Sequence, residues 1–336
     1  MSHRALVTLL ALAVASPSHA WGPDGHHTVG ALADKLIAGS HAAVQVAAIL
    51  NGLSLKDAAV WADCAKGIDP AKNFEYQNAG SFPECAIFEN STEEAAMSDY
   101  VKRNDTNCPR KPTEESCHKQ YHYADVAIQH GRYETGLTGA RNDDVVVAIS
   151  AVVHVLKGDP ASAPFNIKNK REALLLLAHY VGDIHQPLHV GAIYLSASGS
   201  RVNPDSGAFD EKTGTRGGNQ IMVTVLSGAK PQNLHANWDA IPASLHETQI
   251  STAWIARART VPTTPGDIFD WPAAWATESV KDAQHLFKGL QFTKMSDTHW
   301  GVTLPIAYAT DADTLKNTQL TEAGARLAQI LKAVFP

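Results

Sequence analysis

Two places in the chain pair an imidazole with a carboxylate at a spacing that a helix would turn into a chelate. In A-H-Y-V-G-D-I-H-Q-P-L-H, residues 178–189, His179 and Asp183 lie four apart. On an α-helix that leaves them about 40° apart on one face, within reach of one ion. Pro187 must end or kink this helix, which lets His189 turn back toward a neighbouring ion. A second pair of the same spacing, His235 and Asp239, sits in H-A-N-W-D. Imidazole nitrogen with carboxylate oxygen is zinc chemistry. One His-x-x-x-Asp is more often a surface or capping pair than a metal site. Two of them, one extended by a further histidine and both flanked by apolar residues, point to metal. His185 faces another way and reads as a supporting polar residue, not a ligand.

Three shorter fragments add donors. Residues 21–26 read W-G-P-D-G-H. A free α-amine has a reference pKa of only about 8, so an amine on Trp21 could chelate a metal together with its own carbonyl oxygen. Gly22 and Gly25 would let the chain curl until His26 reaches the same ion. Alone this is weak, because an N-terminal Trp also serves as a core anchor. Trp61-Ala62-Asp63 and His122-Tyr123-Ala124-Asp125 each set a ligand-type side chain beside an aromatic.

These fragments become specific together. W-G-x-x-G-H, W-A-D, H-Y-x-D, H-x-x-x-D-x-H-Q-P-L-H, G-G-N and H-x-x-W-D, in that order from Trp21 to Asp239, with W-A-T-E-S following at 275–279, resemble one family. It is the secreted, three-zinc, single-strand-preferring nucleases of fungi, plants and bacteria (the S-one/P-one nucleases), whose fold is shared with bacterial zinc phospholipase C.

The resemblance implies a mainly α, single-domain fold of the phospholipase C/nuclease type, with long surface loops and little β-structure. It also implies three zinc ions per chain. Asp63, His122, His179 and Asp183 would hold the first. Asp183 would bridge to a second, completed by the amine and carbonyl of Trp21 and by His26. His189, His235 and Asp239 would hold the third. Asp63, Lys66 and Asp183 match catalytic positions, and Lys66 also matches a position near the phosphate. Tyr123 and Asp125 match a base pocket. Asn219, in Arg216-Gly217-Gly218-Asn219, matches a motif lining the cleft, where closing the loop is as good a role as touching substrate.

The implied reaction is endonucleolytic hydrolysis of single-stranded DNA and RNA to 5′-phosphate products, with 3′-nucleotidase activity from the same geometry. A hydroxide bridging two zincs would attack phosphorus in line, with the third zinc stabilising the 3′-oxygen. The family would act as a monomer without membrane anchoring. The competing enzyme is a zinc-dependent phospholipase C, but that group has a longer spacing from the N-terminal Trp to the first His and a Glu where Asp239 stands. The other class is a non-catalytic periplasmic zinc-binding protein.

Two departures from the family pattern stand out. Asp63 and His122 are 59 residues apart, further than in the fungal enzymes, because a cysteine-bearing insertion at about 64–120 separates them. All four cysteines (Cys64, Cys85, Cys108, Cys117) fall there, allowing three pairings. A Cys64–Cys117 bridge with Cys85–Cys108 nested inside would bring Asp63 to His122. Second, Ala240 follows Asp239 where some relatives carry an amide, which bears on substrate preference.

Helical periodicity must position these groups. Apolar residues at three- and four-residue spacing predict two helices over 29–53, broken near Gly39-Ser40, and further helices over 143–157, 170–182, 234–241, 245–259, 275–289 and 321–334. The segment 220–226 (QIMVTVL) is the best strand. Residues 67–119 and 196–219 read as loops.

Residues 1–20 read as a secretory signal peptide, with Arg4 at a basic start, an apolar stretch over 5–15 and Ser18-His19-Ala20 at the cleavage site. Cleavage after Ala20 would begin a secreted or periplasmic zinc nuclease domain, residues 21–336, at Trp21. Beyond residue 20 no apolar run reaches the roughly 18–20 residues that span a bilayer. With 28 Lys+Arg against 34 Asp+Glu and a net charge of −6, the chain does not hold nucleic acid by a basic field. The 18% charged and 44% apolar residues allow a sizeable core.

Overall fold

Residues 170–184 carry Leu174–Leu177 and Val181 on nearly every side, and a helix apolar all round belongs in the interior. In the computed structural model, which describes residues 21–110, 114–224 and 232–336, this helix is central and every residue from Glu172 to Ile184 is buried. The expected signal peptide, residues 1–20, and the end of the predicted strand at 225–226 lie outside the described residues. The helices are α1 (Pro23–Ile37), α2 (His41–Leu50), α3 (Leu55–Ala58), α4 (Trp61–Ala65), α5 (Ser91–Arg103), α6 (Cys117–Gln120), α7 (Val145–Lys157), α8 (Lys170–Ile184), α9 (Leu234–Asp239), α10 (Thr252–Ala258), α11 (Trp271–Leu286) and α12 (Tyr308–Val334). The fold is mainly α, as expected.

Around α8 pack α7, α1, α2, α3, α4, α11 and α12. α7 is rich in valine, a residue of modest helix propensity. Burial of its apolar face and the Asp144 cap, whose carboxylate accepts from the amides of Val146 and Val147, override that preference. Asp34 on α1 accepts from the amides of Leu55 and Lys56, and Ser54 and Asp57 form a capping box on α3. This anchored turn leads directly into α4, which carries Asp63.

Strands are short: β1 (Ile68–Asp69), β2 (Glu75–Tyr76), β3 (Val126–Ala127), β4 (Gly191–Ala192), β5 (Ile221–Val223), β6 (Gln232–Asn233), β7 (Phe292–Lys294) and β8 (Trp300–Val302). A four-stranded sheet has the order β6-β5-β8-β7, with β5 and β8 parallel and Ile221 opposite Trp300. β3 and β4 pair in parallel, Val126 opposite Gly191. That small ladder matters most, since Ala124 N–H donates to the His189 carbonyl at 2.7 Å and Val126 N–H to that of Val190 at 2.9 Å. It zips the His122 segment to the His189 segment.

Three local expectations are corrected. The stretch 67–119 is not all loop, because it contains α5. This helix is polar overall and hides from an apolar pattern, but Asn90 caps it, Glu93 and Glu94 sit in its first turn, and Lys102 and Arg103 in its last. α12 starts thirteen residues before position 321, its first turns being polar. Of 245–259 only α10 is α-helical; two 3-10 turns precede it, and Ser251 caps the helix by accepting from Trp254 N–H.

The cysteine pairing is also corrected. The bridges are Cys64–Cys85 and Cys108–Cys117, with Cα separations of 5.6 and 5.7 Å. Each cysteine joins its neighbour in sequence because the insertion folds as two local excursions. The β1–β2 ribbon returns to α4, and the turn after α5 returns to α6. Asp63 and His122 meet by packing of α4 and the α6 segment against α8, and no disulfide needs to draw them together.

His118 on α6 is 1% exposed. Burial, helped by Lys119 and Lys66, pushes its pKa down to about 3. The unfolded chain accepts a proton there near pH 6.5 and the folded chain refuses it. Its stabilising share is therefore complete above pH 6.5 and is lost as the pH falls toward 3, by on the order of 1 kcal/mol per pH unit. His118→Leu is expected to reduce the pH slope of unfolding free energy between pH 6 and 4.5 by that amount. Denaturant titrations with superimposable slopes for the two proteins would refute it.

Candidate metal centre

Three groups of ligating side chains converge: His26, His179 and Asp183; Asp63, His122 and His179; His189, His235 and Asp239. Within each, the donor atoms lie within 4.8 Å of one another. All the expected side-chain ligands are therefore brought together, and all are buried except Asp63, which is half-buried.

Asp183 is the hub. Its Oδ2 lies 2.9 Å from His122 Nδ1 and 3.2 Å from His179 Nε2. Its Oδ1 faces the other way, toward His26 Nε2 at 3.4 Å. One carboxylate thus serves two ligand groups, an oxygen to each. Asp63 Oδ1 completes the first group at 3.6 Å from His179 Nε2 and 3.9 Å from His122 Nδ1. The His26 and His179 rings stack at 3.9 Å, so His179 touches both groups. This contact depends on Gly182, where a Cβ would stand 2.8 Å from His26 Nδ1. Gly25 plays the same part beside Trp21, whose Cβ would be 2.5 Å from an added one. Trp21 is fully buried, and Gly22 N–H donates to the Asp239 carbonyl at 2.9 Å.

Charge in the first two groups favours a cation. Burial works against ionisation of Asp183, yet His179, His122 and His26 hold its carboxyl well below the usual range. Burial likewise opposes protonation of His179, and Asp183 with Asp63 outweighs it, raising that pKa. The two carboxylates thus draw positive charge into this spot. Burial, with His179 adding, pushes His26 down to about 4.

The third group shows the need for a cation most directly. His189 Nδ1 donates to the His122 carbonyl and His235 Nδ1 to that of Gly217, each at 2.8 Å. A carbonyl only accepts, so the proton of each neutral ring sits on Nδ1. Burial lowers the pKa of both, that of His235 to about 3. Their two Nε2 lone pairs then face each other at 3.0 Å, a repulsion that a shared cation relieves. Asp239 Oδ1 lies 3.7 Å from His235 Nε2. Backbone carbonyls fixing the far nitrogen of each imidazole are the supporting contacts that metal-ligating histidines have. His179 has one too, from Nδ1 to the Ala59 carbonyl at 2.6 Å. The donor sets fit zinc.

Around these groups lie the remaining predicted residues. Lys66 Nζ is 2.6 Å from Asp63 Oδ1; burial opposes its charge, but Asp63 and Asp183 keep the ammonium ionised. Tyr123 and Asp125 are half-buried. Burial pushes the Asp125 carboxyl up to about 7, against Arg216 and the Gly217 N–H, so the G-G-N loop faces it. Asn219 Nδ2 donates to the Arg216 carbonyl at 3.0 Å, and its Oδ1 lies 3.4 Å from Nδ2 of Asn233, the α9 cap. Its side chain closes the loop.

Sequence reasoning missed Gln186. Fully buried, it donates from Nε2 to Asp239 Oδ1 at 2.9 Å while its Oε1 accepts from Leu188 N–H. Its place between two ligand histidines was the available signal. His185 is a buried polar residue outside the three ligand groups: Nδ1 donates to Val181 O and Nε2 accepts from Arg326.

A family model described as S1/P1 nuclease matches residues 86–336. The chain belongs to the S1/P1 nuclease family. Among curated relatives, Endonuclease 1 of Arabidopsis thaliana is 29% identical over 171 residues, half of each chain. Endonuclease 3 of the same plant is 26% identical over 195 residues, covering 50% of this chain and 52% of that one. Endonuclease 4 is 39% identical over 71 residues, 21% of this chain and 16% of the relative. The chain thus spans about half the length of the first of these relatives. The S1/P1 match begins at residue 86, so Trp21, His26, Asp63 and Lys66 lie before it. The convergence of His26, Asp63 and Lys66 with His122, His179 and Asp183 is a result of the structure.

Proposed function

We propose that this S1/P1 family member is a secreted, monomeric zinc-dependent endonuclease that cleaves single-stranded DNA and RNA to 5′-phosphate products and also removes 3′-phosphates from nucleotides. The observation that carries the reading is the shared Asp183, one buried carboxylate with an oxygen toward each of two histidine groups and a third group beside them. Asp63, His122, His179 and Asp183 would hold one zinc. Asp183, His26 and the amine and carbonyl of a processed Trp21 would hold the second, and His189, His235 and Asp239 the third. Bound there, zinc would supply Lewis acidity, lowering the pKa of water from 15.7 to about 7 and neutralising charge on the phosphodiester.

The chain's own residues do the rest. Asp183 fixes the separation of the first two groups, and Lys66 adds a held positive charge beside Asp63 for a phosphate oxygen. Tyr123 offers a ring for stacking, and Asp125, poised near neutrality, offers a polar partner for a base edge. With three carboxylates, Asp63, Asp183 and Asp239, against three divalent ions, the loaded cleft would be cationic within an acidic protein, and phosphate would be held locally without a basic surface. Two disulfides suit an oxidising compartment, and no single helix among the described residues is long and apolar enough to cross a membrane.

Stacking is worth about 1–3 kcal/mol per base, and only an unpaired base can enter such a pocket. The test is turnover by zinc-loaded protein of single-stranded DNA, single-stranded RNA, blunt duplex of matched length and phosphatidylcholine. Both single strands are expected to be cleaved at least about tenfold faster than duplex, with no release of phosphocholine. Equal rates on duplex would defeat the single-strand preference, and lipid turnover without nucleolysis would make the protein a phospholipase C.

A further inference from the structure

α9 has only six residues, yet it presents both His235 and Asp239. So short a helix is not stable by itself, and its last carbonyls lack partners within the helix. The group that meets them comes from α12. Lys316, 5% exposed, donates from Nζ to the carbonyls of Asn237 at 3.0 Å and Ala240 at 2.6 Å. The same ammonium lies 5.4 Å from the centroid of the Trp238 ring. Burying an ammonium is costly; two carbonyls and an aromatic face offset that cost and, in doing so, fix the turn that ends in Asp239. A cation at a helix C-terminus also meets the negative end of the helix dipole.

The Asp239 residue is then held from three directions. Gln186 orients its carboxylate, Gly22 N–H holds its carbonyl, and Lys316 clamps the turn on both sides of it. Of the three, Lys316 alone reaches from outside the segments that carry ligands. Resting on the zinc reading above, we propose that Lys316 is a positioning residue for the third ligand group: its clamp on α9 sets Asp239 against His189 and His235, and so sets the zinc affinity of that group alone.

Zinc stoichiometry and release to a chelator, measured on the processed full chain, test this. Lys316→Met keeps the aliphatic stem over Trp238 and removes the donors, Lys316→Arg keeps charge and donors, and His235→Ala marks which zinc belongs to the third group. Lys316→Met is expected to give up one zinc of three at about 10- to 100-fold lower chelator concentration than wild type, the same zinc that His235→Ala lacks. Lys316→Arg should recover most of that affinity, and the other two zincs should be released as in wild type. If Lys316→Met holds three zincs as wild type does while His235→Ala lacks one, the proposal is wrong and the zinc reading stands. If wild type and His235→Ala bind equal zinc, the zinc reading fails and takes the proposal with it. Should Lys316→Met not fold, Lys316→Gln, a shorter neutral amide that loses the charge and one of the three N–H donors, is read the same way. Failure of both to fold would assign Lys316 to the fold and overturn the proposal.

Discussion

On the three-zinc reading proposed above, Asp183→Asn is expected to lower zinc content from three per chain toward one and to reduce cleavage of single-stranded DNA by about 100- to 1,000-fold, an effect of the size seen when one charge-stabilising group is removed from an active site. The side chains have nearly the same shape, so packing around α8 changes little. What changes is the donor set. The carboxylate presents an oxygen to His122 and His179 and another to His26. The amide can present an oxygen to only one of those groups, turns an N–H₂ toward the other, and carries no charge. Both groups that share Asp183 should weaken, while His189, His235 and Asp239 keep their zinc. Metal analysis beside a single-strand cleavage assay checks this. Three retained zincs, or a rate within tenfold of wild type, would show that Asp183 is not the shared ligand.

The second large effect concerns Trp21, the residue that cleavage after Ala20 would leave first. A Met or a tag left before Trp21 is expected to cut zinc content by one and nearly abolish activity, because an amide nitrogen in a peptide bond cannot replace a free amine as a ligand. The structure makes the competing account distinguishable. Trp21 is buried whether or not its nitrogen binds metal, its side chain packs on Gly25, and Gly22 is tied to Asp239. If Trp21 only anchors the core, an extension on its N-terminal side leaves those contacts in place and activity unchanged. Trp21→Phe with a free amine provides the complementary arm: it should lose some stability by reduced packing but keep three zincs. Full activity of the extended protein would remove Trp21 from the ligand set.

Much of the site was readable in one dimension because its strongest signals are local. His179 with Asp183, and His235 with Asp239, are spaced by one helical turn, so forming either helix suffices to align them. Pro187 ends α8 and turns His189 back, again within a few residues. The apolar periodicity of α1, α2, α7 and α8 likewise depends only on which face is buried. α5 and the first half of α12 escaped because their residues are polar, and caps and charge placement carry their helical signal in place of an apolar stripe.

The disulfides show the opposite limit. Cys64–Cys117 would have been an economical way to join Asp63 to His122, and spacing alone could not reject it. The insertion instead closes two short loops, Cys64–Cys85 and Cys108–Cys117, leaving the joining to helix packing. Gln186 and Lys316 were missed for a related reason: what they hold, Asp239 and the end of α9, lies 53 and 76 residues away.

The residues and their order along the chain determined which ligand types were present and which neighbours could share a face, because those depend on backbone periodicity. Only the tertiary structure decided that Asp183 turns one oxygen to each of two groups, that the His189 and His235 lone pairs meet at 3.0 Å, and that buried amide and ammonium donors steady Asp239. Those facts depend on segments far apart in sequence being packed to within hydrogen-bonding distance, and packing is settled by the whole core at once.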